Sequence, residues 1–93
     1  MPYIDKNSQE AFAPLADAIN QTTIVSPGEL NYLVTLLAIK YMQINGLRYA
    51  YMNDVVGALD SAKEEFRRRV MAPYEQQKAF ERDQEGLDPY SVI

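Results

Sequence analysis

From Ser26 the chain reads S-P-G-E-L-N-Y-L-V-T-L-L-A-I-K-Y-M-Q-I-N-G, and this stretch constrains the fold more than any other. Ser26 suits an N-cap, Pro27 the first helical position, and Glu29 completes a Ser-x-x-Glu capping box. At the far end Asn45-Gly46 supplies a glycine for the left-handed position after a helix, with Leu47 placed to fold back on Met42. Both boundaries of a helix are therefore written locally. At 100° per residue, Leu30, Leu33, Val34, Leu37, Tyr41 and Ile44 form one apolar stripe. Tyr32, Leu36 and Ile39 form a second on nearly the opposite side, with Asn31, Thr35 and Met42 on the arc between. A helix apolar on two sides needs two packing surfaces. In a chain of 93 residues, one of them is expected to be a second copy.

The flanking sequence builds around that helix. Phe12, Leu15 and Ile19 share a face and predict a helix over residues 8–21, capped by Asp5 or Ser8. Pro14 either kinks it or makes it begin near Ala13. Thr22 to Val25 favours extended backbone. After the central helix, a turn over 45–48 is short enough to make the next helix an antiparallel neighbour. That helix is expected over 49–72, where Met52, Val55, Leu59, Ala62 and Phe66 keep a 3–4 spacing. Gly57 within it either admits a close neighbour or is a tolerated surface glycine. Pro73 predicts a kink or a stop near Ala72. Beyond it Tyr74 to Glu85 is mostly polar, a frayed helix at most, and Gly86 onward reads as an exposed tail. The fold class is all-α: an antiparallel helical hairpin plus an N-terminal helix, a three- to four-helix bundle completed by homodimerisation. Residues 1–75 form the domain and 76–93 a polar extension.

Composition removes several function classes. The chain has no cysteine and no histidine, which takes away thiol chemistry, thiolate zinc sites and imidazole acid–base catalysis. A net charge of −4 gives no general attraction to nucleic acid or anionic lipid. The opening M-P-Y-I-D-K-N has no basic leader before an apolar run, and Glu29 and Lys40 interrupt the central helix. A cytoplasmic protein without a membrane span is the expectation.

Three clusters carry possible chemistry. Glu29, Asp54, Asp60, Glu64 and Glu65 are the acidic side chains from which a helix-borne Mg²⁺ site would have to be built. In an antiparallel hairpin turning at 46–47, Glu29 would lie level with Glu64 and Glu65, and Lys40 level with Asn53 and Asp54. The paired Glu-x-x-Glu or Glu-x-x-Asp segments of the all-α nucleotide pyrophosphohydrolases are missing. Arg68 follows Glu64 by four residues and Arg69 follows Glu65 by four, so paired surface charge is the favoured account and no cofactor is expected. Lys63, Arg67 and Arg68 are the candidates for phosphate contact. Arg67-Arg68-Arg69, however, fans around the helix rather than forming one patch. The third cluster is aromatic: seven Tyr and three Phe without Trp, with Tyr32, Tyr41, Tyr49 and Tyr51 distributed around the hairpin. Tyr41 belongs to the main stripe and is expected in the core. Tyr32 and Tyr51 lie off their stripes, and with Leu36 and Ile39 they are the candidates for contact with a second chain.

The segments M-P-Y-I-D at 1–5, G-E-L-N-Y at 28–32, L-R-Y-A at 47–50, N-D-V-V-G-A-L at 53–59, A-K-x-E-F at 62–66 and A-P-Y-E at 72–75 together carry a resemblance. The chain is similar, over most of residues 1–75, to a family of small proteins without an established activity from phages, prophages and other microbial genomes. The resemblance implies a setting rather than a mechanism; the doubly apolar helix, the tyrosine excess and the missing catalytic side chains are what point to a non-catalytic accessory protein that binds itself or another phage or host protein. It marks Glu29 to Tyr32 and Asn53-Asp54 as signature positions, where Asn31 and Asn53 are expected to hydrogen-bond within the hairpin. After Glu75 nothing carries over.

Overall fold

Ser26 caps its helix as the sequence requires. In the computed structural model, which describes residues 4–86, its backbone is extended (φ −129°, ψ 154°) and its Oγ accepts the Glu29 N–H at 3.1 Å. The hydroxyl then donates to Glu29 Oε1 at 2.9 Å, so the glutamate closes the box on the serine side chain. With Pro27 in the first turn, this starts α3, Pro27–Asn45. Before it lie α1, Lys6–Ala11, and α2, Ala13–Asn20; after it come α4, Tyr49–Phe66, and α5, Ala72–Gln84. Among the described residues the fold is all-α, with no strand.

The single helix expected over 8–21 is two. Asp5 caps α1 by accepting the Ser8 N–H at 2.8 Å, and the chain breaks at Phe12 (φ −95°, ψ 6°). The cause is Pro14: it has no N–H to give to Glu10, so the helix ends and restarts with proline in the first turn of α2, where a missing donor costs nothing. Phe12 serves both ends. Its N–H goes to the Gln9 carbonyl and its own carbonyl accepts from Ala16.

The end of α3 departs from expectation in detail. Gly46 gives its N–H to the Met42 carbonyl at 2.8 Å and has a positive φ of 107°, but its ψ of 161° lies far from the left-handed helical well. The chain thus leaves the helix fully extended at Gly46, in a region that essentially only glycine occupies. Leu47 consequently points away and is 82% exposed, so the expected fold-back onto Met42 is not made. Arg48 restarts the helix, its carbonyl accepting the N–H groups of Tyr51 and Met52.

Pro73 does not stop the helix. The chain runs from α4 through a π-helical segment, Arg67–Met71, directly into α5, where the Ala72 N–H reaches back five residues to the Arg67 carbonyl. A wider turn just before a proline opens room for its ring and absorbs the lost hydrogen bond. The stretch expected to fray is therefore helical as far as Gln84, and the tail expected beyond Gly86 lies outside the described residues.

The chain divides into two compact units, 1–58 and 59–93, with the boundary inside α4. Neither contains a buried side chain among the described residues. In the first unit Leu33, Val34, Ala38 and Met42 of α3, and Tyr51 and Val55 of α4, are half-buried, whereas Leu30, Leu37 and Ile44 of the expected core stripe are exposed. The apolar residues of α3 are thus in place, but the described residues of the unit cover them only in part.

Candidate interaction surface

The half-buried residues of α3 define its inner side. Val34, Ala38 and Met42 fall within about 80° of one another around the helix, with Leu33 about 100° from Val34, and the more exposed Tyr41 beside Val34 is the residue that reaches α4. The second apolar stripe lies on the side of α3 opposite Tyr41. Tyr32 is 63% exposed, Leu36 44% and Ile39 47%. No described segment covers them, and their helix neighbours at either end of the stripe are the only charges inside α3, Glu29 and Lys40. An open cleft lined by Thr22, Ile24, Gly28, Glu29, Tyr32 and Leu33 adjoins the N-terminal end of this stripe.

The remaining interface candidate behaves differently. Tyr51 is half-buried, its ring edge-on to Tyr41 at a centroid separation of 6.4 Å. That pair, with the Tyr41 hydroxyl donating to Asp54 Oδ2 at 2.8 Å, holds α3 to α4 across the turn. Tyr41, expected in the core, is 38% exposed. The hydrogen bond to Asp54 raises the Tyr41 phenol above its ordinary value, with desolvation and then the field of the Asp54 charge adding to it. The register of an antiparallel hairpin sets Lys40 level with Asn53 and Asp54; the next residue, Tyr41, takes the position at Asp54 instead. The signal was present in the sequence as a tyrosine and an aspartate on opposite sides of Gly46, but a one-residue offset decides which side chain arrives. Asn31 and Asn53, expected to lock the hairpin, make no side-chain hydrogen bond among the described residues; Asn45 does, its amide donating to the Tyr41 carbonyl at 2.9 Å.

The acidic candidates each have a local partner. Glu29 accepts from Ser26, and Asp54 from Tyr41. Asp60 lies 3.6 Å from the Lys63 ammonium and Glu64 4.0 Å from it. Glu65 takes Arg68 through both oxygens at 2.7 Å and lies 3.8 Å from Arg69. The expected Glu64–Arg68 pair is therefore replaced by an i,i+3 pair to Glu65, in which the single nitrogen Nη2 of Arg68 is shared between both carboxylate oxygens in a short, charge-assisted contact. Among the described residues no group of three or more Asp, Glu, His or Cys is placed to hold a metal ion. Of the phosphate-contact candidates, Lys63 and Arg68 are engaged in these pairs, and Arg67 opens the π-helical segment. In α5, Lys78 stands 5.5 Å over the Tyr74 ring and pairs with Glu81 at 3.3 Å, a contact sequence reasoning did not anticipate.

No described helix is long and apolar enough to cross a membrane. A family model described as a domain of unknown function (DUF6899) matches residues 1–84, nine residues beyond the point where the resemblance was expected to end. No curated protein and no solved structure matches the chain.

Proposed function

We propose, for a chain that belongs to the family DUF6899, a non-catalytic role as a self-associating interaction protein whose second copy covers α3. The observation that carries the reading is the exposure of Tyr32, Leu36 and Ile39 on the side of α3 opposite its contact with α4. Three large apolar side chains in line on one helix face are an interaction surface rather than scattered surface hydrophobes. Fully burying each of them contributes roughly 1.5–3 kcal/mol, and a two-fold interface counts the set twice. The composition agrees, since a chain without histidine or cysteine lacks the side chains most often used for acid–base and nucleophilic work. The resemblance to phage and prophage proteins supports an accessory role in that setting, in the cytoplasm of the host.

Light scattering across a concentration series tests the reading. The wild-type chain is expected to scatter as a dimer, and Leu36→Glu as a monomer with unchanged helicity by circular dichroism. A wild-type chain that stays monomeric at every concentration overturns it.

A further inference from the structure

We infer that two copies pair antiparallel through α3, in a register that sets Glu29 of each copy beside Lys40 of the other; this rests on the self-association proposed above. Glu29 and Lys40 are the only charged residues inside α3. They are eleven positions apart, so they fall within about 20° of each other around the helix, roughly three turns apart along it. Leu36 lies on the same line between them, and Tyr32 and Ile39 flank it on one side. The outward face of α3 is therefore an apolar stripe with a negative end and a positive end.

Such a face is self-complementary in one direction only. About a two-fold axis between Val34 and Thr35, an antiparallel copy brings Glu29 against Lys40 at both ends and packs Tyr32 and Leu36 of one chain against Leu36 and Tyr32 of the other. A parallel copy sets Glu29 against Glu29 and Lys40 against Lys40. Both charges are exposed and available. Lys40 makes no ion pair or hydrogen bond among the described residues, and Glu29 has one oxygen on the Ser26 hydroxyl, which leaves its charge and second oxygen open. The positive tip of Lys40 also keeps its long stem alongside the apolar stripe, extending the covered area.

The chain contains no cysteine, so engineered ones report without interference. Glu29→Cys and Lys40→Cys chains are mixed in equal amounts and oxidised gently as full-length protein. In the antiparallel register the two thiols on different chains are level, whereas like positions are about 16 Å apart along the axis, beyond the reach of a disulfide. The mixed disulfide is expected to dominate, with little crosslink in either variant alone. Charge reversal gives a second readout that leaves the apolar stripe intact. Glu29→Lys and Lys40→Glu are each expected to weaken dimerisation roughly tenfold, and the double variant to restore it. A dimer in which each single-cysteine variant crosslinks to itself overturns the antiparallel register while leaving self-association standing. A chain monomeric by light scattering overturns both.

Discussion

Tyr41 and Asp54, thirteen residues apart, are joined by a 2.8 Å hydrogen bond in which the phenol donates to the carboxylate across the Gly46 turn. The bond ties the last turn of α3 to the first half of α4, and Tyr51 braces the same phenol ring from the side. Because α3 is otherwise open on both flanks, this contact decides which of its faces is turned inward and which is left for a partner.

The phenol should report on that contact directly. Asp54 raises the Tyr41 pKa above its unfolded value, so the bond stabilises fully below about pH 10 and is lost as the pH rises through the higher folded value. Absorbance at the phenolate band is expected to show one tyrosine of the wild-type chain titrating after the rest. Tyr41→Phe should abolish that late step, and Asp54→Asn should bring it back toward the others. A late step that survives in Tyr41→Phe would assign it elsewhere.

Gly46 is held by backbone conformation and not by space. Its φ of 107° with ψ of 161° is open to glycine alone, yet a Cβ built there meets nothing within 4 Å. Gly46→Ala is expected to cost about 1–3 kcal/mol through strain. Gly57 is the control: it lies in a helix interior, and a Cβ there also meets nothing within 4 Å, which decides for the tolerated-glycine reading. Gly57→Ala should stabilise by up to about 1 kcal/mol. Thermal melts of the two variants should therefore move in opposite directions.

Ser26 carries two bonds of the box at once, the accepted Glu29 N–H and the donated hydrogen bond to Glu29 Oε1. Ser26→Ala is expected to lower stability by about 1 kcal/mol, and Ser26→Asp to recover part of it, because aspartate still accepts from the backbone but cannot donate to Glu29. Amide exchange should quicken first over the opening turn of α3. Uniform quickening along the chain would mean that the cap has no local role.

How much of this was legible in the residues varies with range. The caps follow from chemistry within four residues of each helix end: Ser26 is found as expected, Asp5 is the one of the pair Asp5 and Ser8 that caps α1, and Gly46 ends α3 but in an extended rather than a left-handed conformation. The doubly apolar character of α3 was equally plain. What sequence could not fix was which stripe turns inward. Stripe membership put Leu30, Leu37 and Ile44 in a core, but the half-buried side is centred on Ala38, because an extended Gly46 sets the path of the chain into α4. The same conformational choice moved Tyr41 rather than Lys40 onto Asp54 and released Leu47 to solvent. Of the two ion pairs the spacing predicts, Glu65 with Arg69 is found at 3.8 Å, whereas Arg68 turns from Glu64 to Glu65, which then accepts both arginines. At Pro73 the residues leave a kink and a stop equally open, because the wide turn that accommodates the proline ring has no local signature in the residues before it.

That wide turn gives the last prediction. In an unbroken α-helix Pro73 would collide with the Arg69 carbonyl and leave it without a donor. The π-helical segment Arg67–Met71 precedes the proline directly, and its Ala72 N–H reaches the Arg67 carbonyl five residues back. If Pro73 is what holds the turn open, Pro73→Ala restores a donor, and the segment should relax toward ordinary α-helix. The variant is expected to gain helicity and about 1 kcal/mol, with amide protection rising over residues 67–73 and little change in α3. The pair of Arg68 with Glu65 lies at the start of the same segment and should persist, because both residues stand before the turn is completed. Protection over 67–71 unchanged from the wild type would show that the wide turn comes from the side chains of Arg67 to Met71, and Pro73 would then be a passenger.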